Sequence, residues 1–103
     1  MNSGSRDRIL DVIYATIGEL NSQLEPAAHL QLSPETLLYG ENGQLNSLKL
    51  VELIVVAEQR IEDEFGTSLT LADEHALARR TSPFRSVATL ADYVEERLEG
   101  EGE

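Results

Sequence analysis

Apolar residues recur along most of this chain at the spacing of a helix. Ile9, Ile13, Ile17, Leu20 and Leu24 step by four and three, which makes one stripe on a helix of about five turns. Pro26 sets its latest stop. A long connection follows, to about residue 46. Within it "SPETLLYG" reads as a helical turn, with Ser33 as cap, Pro34 at the first helical position and Gly40 at the exit. "ENGQ" reads as a turn. A second long helix is predicted from Ser47 to Phe65, with Leu50, Ile54, Ala57, Ile61 and Phe65 as its inner stripe and Leu53 beside it. Gly66 is its stop. "TSLTL" is β-prone without a partner strand and reads as an extended connector. "ADEHALAR" reads as a short helix, and "TSPF" breaks the chain. Ser86 then caps a last helix whose inner face is Val87, Leu90, Ala91, Val94 and Leu98. The expected architecture is all-α, a small helical bundle. The expected domain is single, 1–103, with an ordered core over about 6–98 and loose termini, "MNSGS" and "EGEGE".

Composition narrows the function classes. With 103 residues the chain holds a modest core without staples, burying roughly 60–70% of its unfolded surface. It has no cysteine, so disulfides and thiolate metal sites are excluded, and any thiol chemistry must come from an attached group. No apolar run reaches the roughly 18 residues of a membrane span, and "MNSGSRDRIL" lacks the apolar core of a signal peptide. A soluble, cytoplasmic monomer is the expectation. The net charge of -11, from 19 acidic and 8 basic residues, makes nucleic acid a poor partner and a basic protein surface a better one. Acidity that only maintains solubility explains the same charge.

The junction "GQLNSLKLVELI" carries the one candidate for chemistry. Asn46 is a strong N-cap residue, and Ser47 follows it at the first helical position. A serine nucleophile needs a base and an oxyanion hole. There is no G-x-S-x-G elbow, and the two histidines, His29 and His75, lie in low-information stretches. "ENGQLNSLKLVE" has Gly43 and Leu45 where a calcium loop needs oxygen ligands, so no metal site is expected. Being modified by another enzyme is less demanding, because the hydroxyl need only be exposed. A helix start also favours a phosphodiester through its free N–H groups and the positive end of its dipole. The plain alternative is that Asn46 and Ser47 merely begin a helix. Opposite the core stripe lie Glu52, Gln59 and Asp63, with Leu48, Val55 and Val56 on or near the same side. Either the long loop covers these aliphatic residues, or they form an acidic and apolar docking strip.

"LNSLKLVELI", followed by "EDEFG" and "SVATLADYV", resembles the acyl carrier proteins. Their pattern is Asp-Ser-Leu at the start of the second helix, an apolar and acidic helix ending near Glu-Glu-Phe-Gly, and a last helix similar to "TVxDAVDYI". The resemblance runs from about residue 9 to 98. It implies a four-helix bundle of the acyl-carrier type with a long loop between helices 1 and 2. It also implies that a phosphopantetheinyl transferase attaches 4'-phosphopantetheine from coenzyme A to Ser47. The chain would carry acyl or aminoacyl thioesters from an activating ligase to downstream acyl-transfer enzymes of lipid, fatty acid or secondary-metabolite synthesis. It would itself be no enzyme. Asn46, Leu48, Glu52, Val55, Val56 and Asp63 would support the site or dock partners. The chain departs from the pattern at Asn46 (usually Asp), at Lys49 (often acidic), in a second helix about one turn longer than common, and in the long stretch "LADEHALARRTSPFR". These departures favour a specialised carrier over the general fatty-acid one. An aminoacyl or peptidyl carrier, or an unmodified acidic interaction module, are the alternatives.

Overall fold

A computed structural model describes residues 3–40, 43–72 and 82–101. Among them are three α-helices: α1 (Ser3–Asn21), α2 (Ser47–Phe65) and α3 (Val87–Glu101), with a 3-10 turn at Pro26–Ala28. There is no strand among the described residues, only two isolated bridges, so the described fold is helical. Of the predicted "ADEHALAR" helix, all but its first residue lies outside the described residues, as does His75.

The helical periodicity builds one core. α1 packs against both other helices. It contributes Ile9, Val12, Ile13, Ile17 and Leu20; α2 adds Leu53, Ile54, Ala57 and Ile61; α3 adds Val87, Leu90, Ala91, Tyr93 and Val94, all buried. Burial of each large aliphatic side chain contributes about 1.5–3 kcal/mol against the entropy of ordering the chain. Thr16 is a buried polar side chain, and its hydroxyl donates to the Val12 carbonyl at 2.8 Å, so no hydrogen bond is forfeited. Tyr93 falls outside the expected stripe of its helix. It is nonetheless buried, and Arg97 Nη1 donates both to its hydroxyl and to the Thr70 carbonyl, each at 3.1 Å.

α2 begins and ends as local chemistry dictates. Asn46 is extended and its Oδ1 accepts from the Lys49 N–H at 2.9 Å. Gly66 closes the helix with φ of 71°, a left-handed conformation that a side chain would strain, and its N–H donates to the Glu62 carbonyl. The connector after it, "TSLTL", has no helix or strand. It is tied to α2 where the Glu58 carboxylate accepts from the Leu71 N–H at 2.7 Å, and Leu69 and Leu71 are buried. Ser86 caps α3 reciprocally with Thr89: Thr89 N–H donates to Ser86 Oγ, and Ser86 N–H donates to Thr89 Oγ1.

Two local readings are corrected. α1 ends at Asn21, before Leu24, because the Asn21 side chain turns the chain back. Its Nδ2 donates to the Leu30 carbonyl at 3.0 Å and its Oδ1 accepts from the Leu30 N–H at 2.8 Å. Leu24 still packs partly against the core from outside the helix. "SPETLLYG" is not a helical turn. Ser33 Oγ accepts from the Glu35 N–H and closes a single turn, after which the chain runs extended through Leu37, Leu38 and Tyr39.

Candidate functional site

That extended segment sets the position of Ser47. A helix start leaves backbone N–H groups without intrahelical acceptors. For α3 they are supplied from the long connection: Val87 N–H donates to the Thr36 carbonyl at 3.0 Å and Ala88 N–H to the Pro34 carbonyl at 2.8 Å. Leu38 N–H donates to the Arg85 carbonyl at 2.7 Å and Tyr39 N–H to the Phe84 carbonyl at 3.1 Å. The Leu38 side chain is fully buried. From there Leu45 N–H reaches back to the Leu38 carbonyl at 2.9 Å, and Asn46 and Ser47 follow directly. The start of α2 is thus pinned, through Leu38, to the start of α3.

Gly43 permits this return. A Cβ on it would sit 2.7 Å from the Leu38 carbonyl oxygen and 2.8 Å from the Tyr39 carbonyl carbon, closer than side chains and backbone approach one another. Its N–H donates to the Gly40 carbonyl at 2.9 Å; Glu41 and Asn42 of the expected "ENGQ" turn lie outside the described residues.

Ser47 is exposed at the first position of α2. Asn46 takes the Lys49 N–H, while the N–H groups of Ser47 and Leu48 form no hydrogen bond among the described residues. The Ser47 hydroxyl lies 3.4 Å from the phenolic oxygen of Tyr39, a half-buried side chain packed against the core. Lys49 Nζ lies 3.5 Å from Glu52 Oε1, so the basic residue beside the site shares its charge with an acidic one. His29 stands instead on the Leu24 carbonyl, 3.0 Å away. Among the described residues no group of three or more His, Cys, Asp or Glu side chains is placed to hold a metal.

Losing the Asn46 cap exposes a measurable cost. Asn46→Ala is expected to destabilise the fold by about 0.5–2 kcal/mol, whereas Asn46→Asp, an equally good cap, is expected to unfold with the parent. Chemical denaturation of the three proteins measures this. An unaltered alanine variant would mean that the Lys49 N–H bond contributes nothing.

The outer side of α2 divides in two. Leu48 and Val55 are exposed at 67% and 46%, and the long loop does not cover them. Val51, which the helical wheel leaves between the two faces, joins them at 55%. Exposed Gln59 and Glu62 continue this side. Glu52 and Val56 instead turn towards α1, lining a narrow cleft with Leu20 and Gln23. Asp63 also leans to α1 and lines a groove of about 290 Å³ with Arg8, Asp11, Arg60 and Glu64. The arginines of that groove are already engaged, Arg8 with Glu64 at 3.0 Å and Arg60 with Glu19 at 2.7 Å, and Ser47 does not line it. The sequence missed Val51 and Tyr39. An aliphatic residue at the edge of the stripe was the only signal for the first. The second is eight residues from Ser47 and is brought to it by the loop alone.

No helix among the described residues is long and apolar enough to cross a membrane. Compared with family models, with curated proteins and with solved structures, the chain matches none.

Proposed function

We propose that this chain is an acyl carrier protein, modified at Ser47 with 4'-phosphopantetheine. The observation that carries the reading is an exposed hydroxyl at the first position of a capped helix, with two N–H groups that have no partner among the described residues and the positive helix end beside it. In the modification, Ser47 Oγ attacks the phosphorus that bears pantetheine in coenzyme A. A new O–P bond forms, the P–O bond to 3',5'-ADP breaks, 3',5'-ADP departs, and the serine proton passes to a base of the transferase. The arm ends in a thiol, so a chain without cysteine holds its cargo as a thioester. The chain's part in later steps is carriage: an activating ligase loads the thiol, and acyl-transfer enzymes of lipid or secondary-metabolite synthesis take the group on. In this reading the three helices belong to a four-helix bundle of the acyl-carrier type, working as a monomer in the cytoplasm. An aminoacyl cargo uses the same attachment chemistry, and activation assays with candidate acids and amino acids separate the two.

The exposed strip of Leu48, Val51 and Val55 also suits an unmodified acidic module that only binds partners. Intact-mass measurement after incubation with coenzyme A and a broad-specificity transferase decides between them. The carrier gains the mass of one phosphopantetheine, on the peptide that contains Ser47. A chain that stays at its original mass is not a carrier.

Partners that reach Ser47 must cover the start of α2. Leu48 and Val55 would meet them first, with Glu52, Val56 and Asp63 on the flank towards α1. Removing Leu48 deletes an apolar contact of about 1–2 kcal/mol, so Leu48→Ala is expected to weaken carrier binding by the transferase about five- to thirtyfold at every salt concentration. Glu52→Lys reverses a charge and frees Lys49 from its pair. It is expected to slow loading at low salt and to matter less as ionic strength rises, since screening shortens to about 10 Å at 0.1 M. Loading rates across a salt series test both. If both variants load like the parent throughout, this end of α2 is not the docking face.

A further inference from the structure

Resting on the carrier reading above, we infer that the Tyr39 phenol is a phosphate-contacting group that holds the phosphoryl oxygens as they pass to Ser47 and after they are attached. Tyr39 and Ser47, eight residues apart, are brought together by the loop. The Tyr39 backbone is fixed and its side chain is partly buried: Tyr39 N–H donates to the Phe84 carbonyl, the backbone bridges Leu45, and the side chain packs against the core. A side chain fixed in this way presents its hydroxyl at little further entropic cost.

The distance leaves the phenol free to take a better acceptor than the serine itself. Hydroxyl to hydroxyl contact is strongest near 2.7–2.8 Å, and the 3.4 Å between Tyr39 and Ser47 is slack. A phosphate on Ser47 Oγ adds acceptor oxygens two bonds further out, through phosphorus, on an ionised group. Such acceptors make hydrogen bonds roughly twice as strong as neutral ones. The N–H groups of Ser47 and Leu48 sit at the helix start, and Tyr39 approaches from the loop. The phosphoryl group therefore meets donors from two directions. The bond changes are those of the transfer itself, with 3',5'-ADP leaving as Ser47 Oγ bonds to phosphorus.

The test is Tyr39→Phe, which preserves the packed ring and deletes only the hydroxyl. Steady-state loading is measured with coenzyme A as donor and a broad-specificity transferase. The contact is made to phosphorus in transit, so kcat is expected to fall about three- to tenfold while the KM for the carrier stays the same. A merely structural loosening of the site would raise that KM instead. The second measurement uses the parent protein alone. On loading, the ring resonances of Tyr39 are expected to move while those of Tyr14 and Tyr93 stay, and the phosphorus resonance of loaded Tyr39→Phe is expected to differ from that of the loaded parent. A parent that does not load overturns the carrier reading and this inference with it. A parent that loads with a stationary Tyr39 ring, or a variant with unchanged kcat, overturns the role of Tyr39 alone and leaves the carrier reading standing.

Discussion

Ser47→Ala is expected to take up no phosphopantetheine while unfolding within about 0.5 kcal/mol of the parent. The hydroxyl is the only atom of the side chain that the chemistry uses, and it points into solvent outside the core. Alanine is the best helix former, and the lost contact to Tyr39 is a slack 3.4 Å, so the structural consequences nearly cancel. Other serines offer poor substitutes. Ser86 Oγ is committed to the cap of α3, and Ser82 Oγ accepts from the Phe84 N–H at 3.1 Å. Ser68 is exposed but lies in the connector that follows α2, not at a helix start. Intact mass and peptide mapping of the parent and variant measure the outcome. A mass gain on Ser47→Ala, or mapping to Ser68, Ser82 or Ser86, would sink the assignment.

The largest stability effect is expected not in a helix but in the loop. Leu38→Ala removes a side chain with no exposure and leaves a cavity at the junction between the starts of α2 and α3. Such truncations cost about 2–5 kcal/mol, a large share of the roughly 5–15 kcal/mol that holds a domain of this size. The midpoint of thermal unfolding should fall by roughly 10–30 °C. Leu37, its neighbour, is exposed at 36%, and Leu37→Ala should cost below about 1.5 kcal/mol. The backbone bonds from Leu38 to Arg85 and Leu45 survive both substitutions, so the difference isolates the side chain. Loading of Leu38→Ala should also slow below its own melting temperature, because Ser47 is positioned through that contact. Equal destabilisation by the two variants would mean that the segment sits one residue out of register, since adjacent residues of an extended chain face opposite ways.

These two experiments divide the molecule along the line between local and non-local causes. The bounds of α2 were legible because every determinant lies within the helix or one residue of it: an apolar period, a capping amide at Asn46, a glycine at Gly66 that tolerates positive φ. The reciprocal cap of Ser86 and Thr89 is equally local. So is the candidate site, in that Ser47 needs only the helix start that Asn46 defines. Local signals misled at "SPETLLYG". Serine followed by proline does begin helices, but here the carbonyls of Pro34 and Thr36 are claimed by α3, about fifty residues later in the chain, and a segment whose acceptors serve a distant helix cannot keep them for its own turns.

The sequence by itself therefore determined the helical period, the start and end of α2, the cap of α3 and the serine that opens α2, all of which rest on interactions between residues a few positions apart. Only the tertiary structure decided that Leu38 is core and Leu37 is not, and that Gly43 must lack a side chain. It alone placed Tyr93 beneath Arg97, and left Val51 in solvent beside Leu48. It alone brought the Tyr39 phenol to Ser47. Each of these depends on which distant backbone or side chain arrives alongside. That is settled by the packing of α1 against its two neighbours and by the unpaired N–H groups of α3 seeking acceptors in the loop.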